Sequence, residues 1–184
     1  MREFTMKLNK VALAVALTAA LGSASVLADT TNGQIELSGV LVNTACGLSP
    51  SSSPVTVDFG QVPVALLEGG GQATETKNIE LQYCDTTVAQ TAVVTYTPTS
   101  VNTKDAALAA FTSGTATGAG IGLKDSASNT VVWGAATTPV TLVDGNSTIP
   151  FVAFLKAEAA ASGSTTTVTA GAFQSTINFK IDYQ

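Results

Sequence analysis

From Phe173 to Tyr183 the chain changes character at almost every residue. Phe173, Ile177, Phe179, Ile181 and Tyr183 are apolar, with Ser175 the one exception in that series, while Gln174, Thr176, Asn178, Lys180 and Asp182 are polar. A period of two points successive side chains to opposite faces, so this segment predicts a β-strand with one buried face. The pattern stops only at Gln184, the last residue. A strand this apolar needs neighbours along both edges, because an unpaired edge is a template for another chain. A second alternation lies near the opposite end, in Gly33-Gln-Ile-Glu-Leu-Ser-Gly-Val-Leu. There Ile35, Leu37, Gly39 and Leu41 share one face, against Gln34, Glu36, Ser38 and Val40 on the other. Together the two segments suggest that an exposed strand edge serves assembly.

Residues 1–28 have the layout of a secretory signal. Arg2, Lys7 and Lys10 form a basic start, Val11 to Leu21 an apolar core, and Val26-Leu-Ala28 a small-residue cleavage site. The core is too short to cross a bilayer. Cleavage after Ala28 is expected to leave a mature chain of single-domain size. That chain keeps five lysines and no arginine against twelve acids, a net charge of −7. With no basic patch, nucleic acid is not an expected partner. The apolar run Ile149 to Leu155 is short and ends at Lys156, so it does not predict a membrane span.

An exported chain with two cysteines most simply forms one disulfide, Cys46–Cys84. Closing that loop is worth roughly 4 kcal/mol on the chain-entropy account. A metal site would need more ligands than these, and the chain has no histidine.

Between the ends, short apolar runs are broken by turn residues. Val55 to Gly60, Lys77 to Cys84, Ala92 to Thr97, Ile121 to Lys124, Thr130 to Trp133, Val140 to Val143 and Thr148 to Leu155 read as strands. In the second of these, Ile79, Leu81 and Tyr83 fall on one face. Ser49 to Pro54 is a turn cluster, Glu68-Gly-Gly-Gly71 a flexible loop, and Asn146-Ser-Thr148 a turn following Asp144-Gly145. Only Asp105 to Phe111, capped by Thr103 or Asp105, and Lys156 to Ala161 suggest helical turns. The sum is an all-β chain forming an antiparallel β-sandwich.

Catalytic motifs are missing. There is no histidine for general base work and no Gly-x-Ser-x-Gly nucleophile turn. Gly118-Ala-Gly-Ile-Gly-Leu-Lys124 lacks the Gly-Lys step and the strand–loop–helix context of a phosphate loop. Trp133 could serve a sugar platform, but in a sandwich it reads better as core or interface. No enzyme, cofactor or metal is expected.

Several features, taken in order, resemble one family. They are the Gly-x-apolar-x-apolar-x-Gly run from Gly33 to Gly39, Asn43-Thr-Ala-Cys46, Cys84 ending Ile79-Glu-Leu-Gln-Tyr-Cys, and Thr148-Ile-Pro-Phe151. The chain then closes with Gly171 fourteen positions from the end and a penultimate Tyr183. This order and spacing resembles the structural pilins of chaperone–usher fimbriae, type 1-like major subunits in particular.

The resemblance implies an incomplete immunoglobulin-like sandwich that lacks its last strand and is completed by a donated one. It implies a donor extension over residues 29–42, with Ile35, Leu37, Gly39 and Leu41 entering a partner's groove and Gly39 passing its shallow point. The pilin domain would span 43–184. Its groove strand would present Gly171, Phe173, Ile177, Phe179, Ile181 and Tyr183, with the carboxylate of Gln184 gripped by a periplasmic chaperone. Partners would be copies of the same chain, that chaperone, an outer-membrane usher and other pilins, in a fibre at the cell surface. A minor adaptor pilin and a secreted glycan-binding sandwich are the alternative functions.

Overall fold

A computed structural model describes residues 32–159 and 167–184. Internal contacts divide the chain into two units, one ending at Gly39 and one running from Val40 to Gln184. Of the first, residues 32–39 carry no regular secondary structure. The second holds nine strands, one short α-helix and one 3-10 turn (Pro50–Ser52) among its described residues.

The strands are β1 (Gly47–Leu48), β2 (Gln72–Cys84), β3 (Thr91–Pro98), β4 (Ser113–Gly114), β5 (Ala119–Lys124), β6 (Val140–Thr141), β7 (Gly145–Ala157), β8 (Phe173–Gln174) and β9 (Ile177–Tyr183). They form a four-stranded sheet in the order β1-β2-β7-β5, a three-stranded sheet β6-β3-β9 and a small pair β4-β8. Every pairing is antiparallel.

The longest ladder joins β2 to β7, from Gln72 opposite Lys156 to Leu81 opposite Ser147. Alternation along both strands turns Ile79, Leu81, Ile149, Phe151 and Ala153 inward, where they meet Ala92, Val94 and Tyr96 of β3. The Tyr96 and Phe151 rings lie 6.1 Å apart across this interior. Two sheets enclosing one core make a β-sandwich, as the strand pattern predicts.

Several local expectations are corrected. Val55 to Gly60 is extended, yet it joins no strand ladder among the described residues. The last alternating segment is two strands rather than one. It breaks at Ser175, whose hydroxyl donates to the Ala110 carbonyl (2.8 Å). Asn146 to Thr148 lies inside β7, not in a turn, and Thr130 makes only a single bridge, to Lys124.

Of the helical turn expected at 105–111 only one turn forms, with the Leu108 N–H donating to the Asp105 carbonyl (2.9 Å) and the Ala107 N–H to the Asp105 side chain (3.1 Å), and it does not continue to Phe111. The Asn102 side-chain oxygen accepts the N–H groups of Lys104 and Asp105 (2.9 and 3.1 Å), and Ala109 bridges both Val101 and Ile121. The backbone on either side of that turn is thereby committed to non-helical partners. Lys156 and Ala157 end β7, and Ala161 lies outside the described residues. The α-helix, α1 (Val64–Glu68), follows Pro63, a residue pre-set for a helix entrance. Gly69 and Gly70 close it in an ordered turn, donating to Ala65 and Leu67.

Tyr83 is the sharpest departure. Alternation should bury it behind Leu81, but the β2–β7 register shifts between Leu81 and Cys84. Tyr83 takes φ 56° and turns outward, and Cys84 occupies the inward position. Cys84 there bonds Cys46 across a sequence separation of 38. The disulfide therefore ties the residue preceding β1 to the end of the second strand.

A buried carboxylate organises the opposite loops. Asp125 Oδ1 accepts the N–H groups of Ala127 and Asn129 (3.0 and 2.8 Å). Its Oδ2 accepts the Thr138 N–H and hydroxyl (3.1 and 2.7 Å). Burial acts to raise this carboxyl's pKa, but the four hydrogen bonds outweigh it and hold the value below the ordinary aspartate range.

Candidate assembly groove

The core is closed on one side and open on another. Strand β9 pairs with β3 from Pro98 opposite Ile177 to Ala92 opposite Tyr183. Among the described residues its other edge makes no ladder. Facing that edge is the extended run 55–59, whose Val55, Val57 and Phe59 turn inward to half-burial while Thr56 and Asp58 face solvent. This run alternates like a strand because it lines an apolar interior, and lacks ladder bonds because nothing lies between it and β9.

The gap between them is a cavity of about 690 Å³. Its walls are Val55, Val57 and Phe59 on one side and Ile177 and Phe179 on the other. Ile79, Tyr96, Leu123, Phe151 and Ala153 form the floor. No charged side chain lines it. The only titratable group in its lining is the Tyr96 phenol, whose pKa burial, aided by the negative charge of Asp125, pushes well above its usual value. Such a lining offers dispersion contacts and an open row of backbone donors and acceptors, with no acid or base for catalysis. A smaller cavity of about 280 Å³ continues beyond Phe173, lined by Val64, Leu67, Phe111, Leu155 and Val168. Phe173 stands between the two, stacked on Phe111 (4.6 Å between centroids) and tilted against Phe59 (6.2 Å).

The residues singled out along the C-terminal segment lie along this groove or anchor its ends. Phe173, Ile177 and Phe179 line it. Ile181 continues the same face into the core. Tyr183 donates its phenol to the Cys46 carbonyl (3.3 Å), and burial raises its pKa. Gly171 is a close approach, since a Cβ there would collide with Thr115 and the Ala116 backbone. The Gln184 oxygen accepts the N–H groups of Gln90 and Thr91 (2.8 and 2.9 Å), which holds the terminal residue beside the start of β3.

In the N-terminal segment Ile35, Leu37 and Leu41 are 84, 89 and 103% exposed, and a Cβ on Gly39 would meet nothing within 4 Å. The sequence reading missed the wall at 55–59 as a groove element and the floor residues Tyr96 and Phe151. For the wall, alternation was visible, but the missing partner was not.

The sequence profile described as "Fimbrial protein" matches residues 35–184. The chain belongs to this family. It is 50% identical over 188 residues to the major fimbrial subunit of Proteus mirabilis, covering 97% of this chain and all of that one. Among solved structures it resembles a chaperone–usher pilus subunit from a study of rod uncoiling, with TM-score 0.71 and 29% identity over 85% of this chain and 98% of that one. It also resembles the P pilus rod subunit PapA, with TM-score 0.63 and 29% identity over 77% of this chain and the whole of that one. The chain is thus a structural fimbrial subunit, from a family that is not enzymatic, and its fold is an immunoglobulin-like sandwich lacking one strand.

Proposed function

We propose that the groove beside β9 receives a strand donated by another copy of this chain, and that repetition of this step builds the fibre. In this reading residues 1–28 are a cleaved export signal, 29–42 the donor extension and 43–184 the acceptor domain. The observation that carries it is the apolar groove, bounded by the free edge of β9 and the unladdered run 55–59. The exposed Ile35, Leu37 and Leu41 supply a segment of matching period. Strand addition takes its affinity from ladder bonds and its register from alternate side chains. Each of the three apolar side chains adds roughly 1.5–3 kcal/mol on full burial.

An antiparallel arrangement, continuing the sheet β6-β3-β9, sets Leu41 at the Phe173 end and Ile35 toward Tyr183. Gly39 then passes where the groove has least depth. A head-to-tail exchange does not close on itself and so gives a filament. Before assembly, a periplasmic chaperone covers the groove and engages the Gln184 carboxylate, and an outer-membrane usher is the site of exchange on the way to the cell surface. Deleting residues 29–42 tests the reading. The truncated chain should fold, bind chaperone and accept a peptide of residues 33–43, yet form no fibres. Long fibres from the truncated chain overturn it.

A further inference from the structure

Tyr83 has no evident role in the fold of its own subunit. It occupies the left-handed region at φ 56°, where asparagine or glycine sits at less cost than an aromatic residue. It is also 82% exposed, so its ring gains little burial in return. Beside it, Thr86 donates its N–H and hydroxyl to Asp144 Oδ1 (2.8 and 2.6 Å), which joins the 85–88 turn to the 142–145 connection. Val88 and Val143 on those two connections are 61 and 57% exposed. The result is a group of three exposed apolar side chains on neighbouring pieces of chain. It lies at one end of the domain, next to Cys84 and the Asp85 N–H, which donates to the Ala45 carbonyl (2.9 Å).

That is also where the N-terminal segment enters the domain. If residues 35–41 occupy a neighbour's groove, as proposed above, Val42, Asn43 and Thr44 hold Ala45 within about 14 Å of Leu41. The patch is then drawn against that same neighbour, at the groove end where Leu41 exits. Val64 and Leu67 of α1 line the cavity there, and the adjacent Leu66 is 41% exposed. We propose that Tyr83, Val88 and Val143 form a second contact between consecutive subunits, docking on the α1 end of the copy that receives the strand. Strand donation links the copies, and this contact restrains the angle between them. The inference rests on the strand-donation reading but fails separately from it.

Two variants test it in assembled fibres. Tyr83→Asn keeps a residue that tolerates the left-handed backbone and removes the ring. It should leave subunit melting and the detergent-resistant, heat-labile ladder unchanged, while the fibre's persistence length falls at least twofold by electron microscopy. A photo-crosslinking benzoylphenylalanine placed at 83 should join consecutive subunits through the peptide containing Leu66. An intact ladder with unchanged persistence length and no crosslink to that peptide overturns the docking contact alone. A fall in subunit melting for Tyr83→Asn also overturns it, by assigning Tyr83 to its own fold. Loss of the ladder in the unmutated protein removes the strand-donation reading and this inference with it.

Discussion

Strands β7 and β9 are both alternating, both antiparallel and both contributors to one core, yet they end in different states. β7 has β2 along one edge and β5 along the other, and its inward Ile149, Phe151, Ala153 and Leu155 are buried. β9 has β3 along one edge only, and its inward Ile177, Phe179 and Ile181 stop at half-burial. The apolar pattern of β9 is as regular as that of β7. What it lacks is a neighbour whose side chains would close over it. The difference locates the incompleteness of the sandwich in a missing strand rather than in weak residues.

Truncation of the two phenylalanines tests this contrast most strongly. Phe151→Ala should destabilise the subunit by about 3–5 kcal/mol, with or without a strand in the groove, because its cavity cannot collapse. Chemical denaturation of both states reads this directly. Equal costs for Phe151→Ala and Phe179→Ala in the free subunit would break the comparison. Next, a peptide of residues 33–43 supplied at a hundredfold its dissociation constant should raise subunit stability by about 2.7 kcal/mol. A melting temperature that ignores the peptide would show that the groove is not a strand site.

Asp125 offers a control that does not itself line the groove. Its folded pKa lies below the ordinary value of 3.8, so its stabilisation is present at neutral pH and is lost as pH falls below about 3.8. Asp125→Asn should cost about 2 kcal/mol at pH 7 and lessen the acid-induced loss, measured by melting between pH 2 and 7. The cost should be the same whether or not the peptide is bound. Phe179→Ala comes below this, at about 1–2 kcal/mol in the free subunit, since its ring is only partly covered there. Its cost should grow once the peptide is seated.

The smallest effect on stability belongs to Gly39→Leu. Open space surrounds Gly39, so the subunit should melt within about 0.5 kcal/mol of the unmutated chain. Chaperone-complex yield should also hold, while fibre yield falls sharply. A reduced yield of the complex itself would assign Gly39 to its own domain.

The amino-acid sequence by itself determined the all-β class, the pairing of the two cysteines and the alternating strands that build the core. Each of these follows from local period or composition, which a chain carries wherever it folds. It also displayed both alternating end segments, Gly33 to Leu41 and Phe173 to Tyr183, through the same period. Only the tertiary structure decided which alternating runs obtained partners. Val55 to Gly60 and Lys77 to Cys84 look alike in sequence. One became an unladdered groove wall and the other a strand of the central ladder, because pairing depends on what lies across the gap. Tyr83 was decided in the same way. The disulfide to Cys46 claims the inward position for Cys84, and the register shift that allows it turns the preceding aromatic ring to solvent.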